Sequence, residues 1–336
     1  MKMNNQCFLL GAGFTHAITN GEALLTNDIM PKLKDIIIPE VEEDYKKMHD
    51  IELFITSTEI KIRTENNDEK KEKLGKFIEN VNEIIASLYD IDKFQNNYQL
   101  CVDFVKKVPK NACVLTTNYD CILDKYLYLN NRWYPNDGYS FTPFPSEGDK
   151  KNSDLDNIIL FKLHGSCNFR DKGGEYPFVE VNNKIFPKIY ADMNGRNSIT
   201  DKGAHIIIMS YLKIYNNGIM LLWREAIEKL KNADQLSIIG CSLRDEDIFL
   251  KYALYHFGMK EEMNNSIIEI IDNDCMKVQE KVKRLVAYPD KHEYKLYNSL
   301  SEYLYPIKYS RGILKGSELT TTLLKDRVEE RKLENK

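Results

Sequence analysis

Long hydrophobic runs are missing from this chain of 336 residues. No apolar stretch approaches the roughly 20 residues that a helix needs to cross a bilayer, so no membrane association is expected. The opening MKMNNQCFLLGAGF holds one lysine and a short apolar run, without the length or cleavage pattern of a signal peptide, and a cytoplasmic location is expected. A strong excess of charge is missing too. The formal net charge of −4 is slightly acidic, which argues against a chain-wide nucleic-acid surface. The cysteines are unpaired in pattern: Cys7, Cys101, Cys113, Cys121, Cys167, Cys241 and Cys275 contain no CxxC, and the closest two stand eight positions apart. That spacing excludes a zinc ribbon, and an odd count scattered through apolar runs suits reduced, mostly buried thiols. Internal repeats and low-complexity tracts are also lacking.

What is present is enough apolar material, 43% of the chain, for a sizeable core in one large domain or two small ones. Five short runs read as strands: CFLLGAG, ACVLTTN, NIILFKLHG, QLSIIGCS and SIIEIIDND, with HIIIMS near 205 a weaker sixth. Most start apolar and end small or polar. Nearly continuous apolar strands suit a sheet covered on both faces. Between them lie segments of helical spacing. Residues 40–105 carry one such stretch, broken by the polar loop TENNDEKKEK, and LLWREAIEKLKNAD at 221–234 is a clear amphipathic helix leading into QLSIIGCS.

The expectation is an α/β fold: a Rossmann-like open, mostly parallel sheet with helices on both faces. The domain should span 1–290, with helical insertions at about 30–105 and 170–230. Residues 291–336 read as a C-terminal extension, whose KGSELTTTLLKDRVEERKLENK resembles a solvated or partner-binding helix. Ligands of such sheets bind at the carboxyl ends of the strands.

Chemistry-bearing residues gather at those ends. GAGFTH follows the first run, where Gly11 and Gly13 permit a tight turn and close backbone approach to a pyrophosphate; a plain turn fits equally well, because His16 holds the place of the third glycine of a dinucleotide fingerprint. TTNYD puts Asn118 and Asp120 at the mouth of the second run, though strand ends and helix caps favour the same residues. LHGSCNF brings His164, a natural general base near neutral pH, to the end of the third. GCSLRDED offers Gly240 and Ser242 as ligand-lining residues, while Asp245 and Asp247 read as a solvated helix start. IIDND ends in carboxylates that could hold ribose hydroxyls or simply make a turn.

Taken in order, GAGFT, TTNYD, LHG, GCSL and IIDND resemble the sirtuin-like NAD-binding family, which reads GAG-(I/F)-S, T-Q-N-x-D, H-G, G-T-S-L and a strand ending near a ribose contact. The resemblance runs from about residue 6 to 275. TTNYD, FKLHGS and GAGFTHAITNGEALLTNDIM are similar to the divergent sirtuin-like domains of bacterial antiphage systems. Carried over, the resemblance makes Asn118 and His164 the catalytic pair. It places Gly11, Ala12, Gly13 and Thr15 at the pyrophosphate and Asp120 in the ribose pocket. Gly240 and Ser242 would bound the nucleotide, and Asp272, or Asn273 one position on, would face the adenosine ribose. The four-cysteine zinc module of deacylating sirtuins has no counterpart, nor does their peptide-binding segment, for which GEYPF at 174–178 is no match.

The resemblance therefore implies NAD as substrate, no metal, and cleavage of NAD to ADP-ribose and nicotinamide in antiphage defence. It also implies gating by self-assembly into a homo-oligomer or by a partner such as a ring-forming ATPase. Protein deacylation, ADP-ribosyl transfer and non-catalytic NAD or ADP-ribose sensing stand as alternatives.

Overall fold

The computed structural model of the chain describes residues 5–89, 94, 98–134, 138–140, 158–169, 210, 217–245, 247–257, 259 and 266–306. All five apolar runs form strands: β1 (Gln6–Leu10), β2 (Cys113–Thr116), β3 (Ile159–Lys162), β4 (Gln235–Ile239) and β5 (Ser266–Ile271). A sixth, β6 (His292–Tyr297), completes a sheet of order β3-β2-β1-β4-β5-β6. Every pairing in it is parallel. The chain is thus an open, parallel α/β sheet of Rossmann-like order, and that order reverses direction between β1 and β4.

Alternation along the strands explains the layering. Phe8 and Leu10 of β1 enter one apolar cluster with Val114 and Leu160. Cys7 and Leu9 enter the other, with Leu115, Phe161, Leu236 and Ile238. Side chains two apart share a face, so a run without polar residues must be covered on both sides. Helices α1 (Ala12–Ile18), α5 (Gln99–Lys107) and α6 (Ile122–Leu129) cover the first face. The second is covered by α7 (Asn217–Lys231), α8 (Ile248–His256) and α9 (Cys275–Leu285). Each large side chain fully withdrawn from water there contributes roughly 1.5–3 kcal/mol.

The insertion between α1 and α5 builds a core of its own. It holds α2 (Pro39–Lys47), α3 (Ile51–Thr64) and α4 (Asp68–Leu88), preceded by the 3-10 turns Thr26–Asp28 and Met30–Ile36. Ile29, Leu33, Val41, Phe54, Phe77, Val81 and Ile85 pack together there, and Tyr119 joins them from the end of β2. TENNDEKKEK is not a loop along its length. Asn67 caps α4 by accepting from the Lys70 amide at 3.0 Å, and Glu69–Lys73 and Glu72–Lys76 pair one turn apart. A cap and i,i+4 pairs make a helix start without any apolar residue.

The α/β domain also runs past residue 290. β6 and the short α10 (Leu300–Leu304) belong to the unit Met1–Leu304; the second unit, Tyr305–Lys336, is described only at its first two residues. β6 escapes the sequence reading because HEYKLY lies at a sheet edge, where its side chains are mostly half-buried and polar residues are tolerated. The 170–230 stretch is an insertion only in part. Its last segment is α7, the crossover helix before β4, while 170–209 and 211–216, with HIIIMS up to residue 209 and GEYPF, fall outside the described residues. No described helix is long and apolar enough to cross a membrane.

Candidate active site

The reversal of strand order leaves a crevice where β1 and β4 end, and two glycine segments meet there. The Gly11 amide donates to the Ile239 carbonyl at 3.1 Å and the Gly13 amide to the Gly240 carbonyl at 2.9 Å. A Cβ on Gly240 would stand 2.2 Å from the Phe14 nitrogen, and one on Gly11 would stand 2.5 Å from the Gly240 oxygen. Gly240 also has φ +56°, which side chains disfavour. The glycines of GAG and GCS are therefore needed first for each other. They let the β1–α1 turn close on the end of β4. The Gly11 and Gly13 amides, expected to face a pyrophosphate, are already engaged within the protein.

At the end of β2 the motif TTNYD makes a second turn. The Thr117 amide and the Thr116 hydroxyl both donate to the Leu10 carbonyl, each at 3.2 Å. The Asn118 side chain is oriented by chemistry. Its Nδ2 donates to the Gly11 carbonyl at 2.8 Å and to the Thr15 hydroxyl at 2.9 Å. A carbonyl can only accept, so the amide nitrogen must face Gly11, and Oδ1 is turned the other way as an acceptor. The Thr15 hydroxyl in turn donates to Asp120 Oδ2 at 2.7 Å, and Asp120 Oδ1 accepts from the Ile122 amide at 3.0 Å. Thr15 and Asp120, assigned from sequence to pyrophosphate and ribose, thus hold Asn118 in register.

Beneath them lies a buried ion pair. Lys162, from β3, donates to the Asp120 carbonyl and stands 3.3 Å from Asp124 Oδ2. Tyr139 donates to Asp124 and accepts from Asn168 Nδ2 at 2.9 Å. Burial pushes the Asp120 carboxyl above its ordinary range, with Lys162, Thr15 and the Ile122 amide opposing it. For Lys162, burial disfavours the ammonium, but Asp124, Cys121 and Asp120 outweigh it and raise its pKa. It stays charged.

His164 follows β3, where Gly165 takes φ +77° to turn the chain. The imidazole is buried, with Nε2 3.0 Å from Asp247 Oδ2 and the ring 6.2 Å from that of Trp223 on α7. Asp247 is the residue that sequence reasoning left as a solvated helix start. It does cap α8, accepting from the Leu250 amide at 3.3 Å, yet it is buried against His164. Asp245 matches the expectation: it is exposed and pairs with Lys251 at 3.0 Å. Only the approach of β3 to the β4–α8 loop separates the two acids, and no local signal marks it.

Every residue selected from the sequence lines one cavity of about 540 Å³. Gly11, Ala12, Gly13, Thr15, Asn118, Asp120, His164, Gly240, Ser242 and Asp272 all border it, with Asn273 beside the last. Asp272 begins a turn by accepting from the Asp274 amide at 2.9 Å. The helical insertion closes the cavity with Asn27, Glu52 and Tyr89, and the β4–α8 loop adds Arg244 and Asp247. This volume suits a nucleotide-sized ligand. All seven cysteines are free, and six of them are buried. Among the described residues no group of three or more His, Cys, Asp or Glu is arranged to hold a metal.

Comparison with curated proteins returns no match. A family model described as a SIR2-like domain matches residues 112–264. The matched span begins at β2 and contains Asn118, Asp120, His164, Gly240, Ser242 and Asp247, while the GAG turn and Asp272 lie outside it. A SIR2-like domain implies NAD-linked chemistry, and the switch-point cavity is where such a sheet holds a dinucleotide. Parallel sheet and cavity agree with the family match: over residues 112–264 the chain is similar to a SIR2-like domain.

Proposed function

We propose that the chain is an NAD glycohydrolase that cleaves the nicotinamide–ribose bond with water, giving ADP-ribose and nicotinamide. The observation that carries this reading is the convergence of Asn118 and His164, from separate strand ends, on one nucleotide-sized cavity.

The chemistry follows from the bond. Its electron pair departs with the nicotinamide, which thereby loses its positive charge, so no acid is needed at the leaving group. Positive charge builds on the ribose instead, unlike an ordinary glycoside whose leaving oxygen must be protonated. Asn118, with its nitrogen held by Gly11 and Thr15, offers Oδ1 to a water or a ribose hydroxyl. The water oxygen bonds to the anomeric carbon and gives a proton to His164. Asp247, 3.0 Å away, stabilises the imidazolium that forms. Base catalysis of this kind contributes about 100- to 10,000-fold. Preorganised dipoles around the ribose supply the rest.

Incubation with NAD and measurement of free nicotinamide tests the reaction. His164→Ala should lower the rate by about 100-fold or more while the protein still binds ADP-ribose. Full activity in that variant would remove His164 from the mechanism. A rate that requires an acyl-lysine or an acceptor protein would instead favour deacylation or ADP-ribosyl transfer.

The resemblance to antiphage domains extends the proposal to NAD depletion during infection, with activity withheld until the chain assembles with itself or a partner such as a ring-forming ATPase. Cellular NAD that stays constant through infection of cells carrying the protein would end that part of the reading.

A further inference from the structure

The wall of the cavity has an imbalance of charge. Glu52, Asp120, Asp247 and Asp272 bring carboxyl groups to it, whereas Arg244 is the single Lys or Arg among the described residues that line it. The pyrophosphate of a dinucleotide carries negative charge, and the Gly11 and Gly13 amides are already committed to Ile239 and Gly240. Lys162 lies behind Asp120, does not line the cavity and answers to Asp124.

Arg244 is held ready by two elements. Its Nη1 stands 3.0 Å from Glu52 Oε1 at the start of α3, and its Nη2 donates to Asn27 Oδ1 at 2.8 Å. Glu52 is buried, while Arg244 retains 28% of its side-chain exposure. The loop beneath it is fixed as well. Leu243 is buried with φ +49°, and Lys281 of α9 donates to the Ser242 and Leu243 carbonyls at 2.9 and 3.3 Å. A guanidinium placed in this way has a fork of donors and can exchange one oxyanion for another without rebuilding the loop.

We propose that Arg244 is the phosphate-reading residue of the cavity and that Glu52 of the helical insertion competes with the substrate for it. The insertion then sets the affinity for anionic nucleotides: the Glu52 carboxylate occupies the guanidinium in the empty cavity, and a pyrophosphate must displace it. This inference rests on the nucleotide reading of the cavity and assigns its anion specificity.

Calorimetry with ADP-ribose and with adenosine, which lacks the pyrophosphate and the second ribose, tests the assignment. In Arg244→Gln the preference for ADP-ribose over adenosine should fall about 10- to 100-fold, the worth of a charge-assisted hydrogen bond. Because that variant takes a guanidinium away from the buried Glu52, the double variant Glu52→Gln/Arg244→Gln is measured beside it and should lose the same preference. Glu52→Gln alone should bind ADP-ribose several-fold more tightly than wild type. A preference unchanged within twofold in both Arg244 variants overturns the role of Arg244. Unchanged or weaker ADP-ribose binding in Glu52→Gln overturns the competition. Wild-type protein that binds ADP-ribose while the Arg244 variants bind it equally well leaves the nucleotide reading standing and sinks this inference alone. Wild-type protein that binds neither NAD nor ADP-ribose sinks both.

Discussion

Two sets of ion pairs, each joining a lysine to a carboxylate, lie in opposite surroundings. On the outer face of α4, Glu69–Lys73 and Glu72–Lys76 meet at 2.7 Å, with more than half of each side chain in water. Below the end of β2, Lys162 and Asp124 meet at the longer distance of 3.3 Å, each side chain 1% exposed. By distance the surface pairs are the better contacts. By consequence the buried pair matters more, because neither of its charges can turn to water if the other is lost. It also has a use: Lys162 ties β3 to the Asp120 backbone, and Asp120 holds Thr15 and Asn118 at the cavity.

The widest separation between the two sets should appear in Lys162→Met. Removing one partner of a buried pair costs about 3–5 kcal/mol, and urea denaturation should read a loss of that size. Lys162→Met/Asp124→Leu should recover much of it, since no charge is then stranded. A loss below about 1 kcal/mol in the single variant would break the comparison at its stronger end.

Gly240→Ala comes next and shifts attention from buried charge to buried backbone. The positive φ alone costs about 1–3 kcal/mol in a residue with a side chain. The new Cβ, 2.2 Å from the Phe14 nitrogen, must also push the β1–α1 turn away from β4. Thermal unfolding should register both, and ADP-ribose binding should weaken with them because the cavity wall moves.

A smaller, pH-dependent effect belongs to the sheet edge. His292 is buried between Ser266, at its Nδ1, and the Ala287 carbonyl, 2.9 Å from its Nε2. Burial lowers its pKa from the ordinary 6.5. The unfolded chain therefore takes up a proton at a higher pH than the folded one. The stability that His292 lends is complete above pH 6.5 and is lost as pH falls from there through the depressed folded value. Melting temperatures at pH 7.5 and about pH 5 should differ more in the wild type than in His292→Asn; equal differences would contradict the assignment.

The least effect is expected from Lys73→Ala on α4. Its melting temperature should match that of the wild type within error, because an exposed pair gains little and is screened by salt. A clear loss there would show that surface geometry carries more weight than burial, the reverse of what the two sets teach.

The legible and illegible parts of the molecule divide along the same line. The five strands read directly from their apolar runs, since a residue buried on either face of a covered sheet must be apolar whatever its neighbours. The strand-end positions of Asn118, His164, Gly240 and Asp272 followed, because the chemistry of parallel sheets gathers where the strands stop. β6 did not read, as an edge strand tolerates the polar residues of HEYKLY. Neither did the beginning of α4, whose first turns are held by a cap and by charge pairs rather than by an apolar stripe.

Local composition by itself determined five of the six strands, the sheet's two covered faces and the polar ends of those strands, because apolar periodicity acts over a few residues and needs no knowledge of what lies opposite. Only the tertiary structure decided which Asp meets His164, which Glu holds Arg244, and that the glycines of two distant turns close on each other. Those contacts join segments far apart in the chain, and a carboxylate is written the same way whether it faces water or an imidazole.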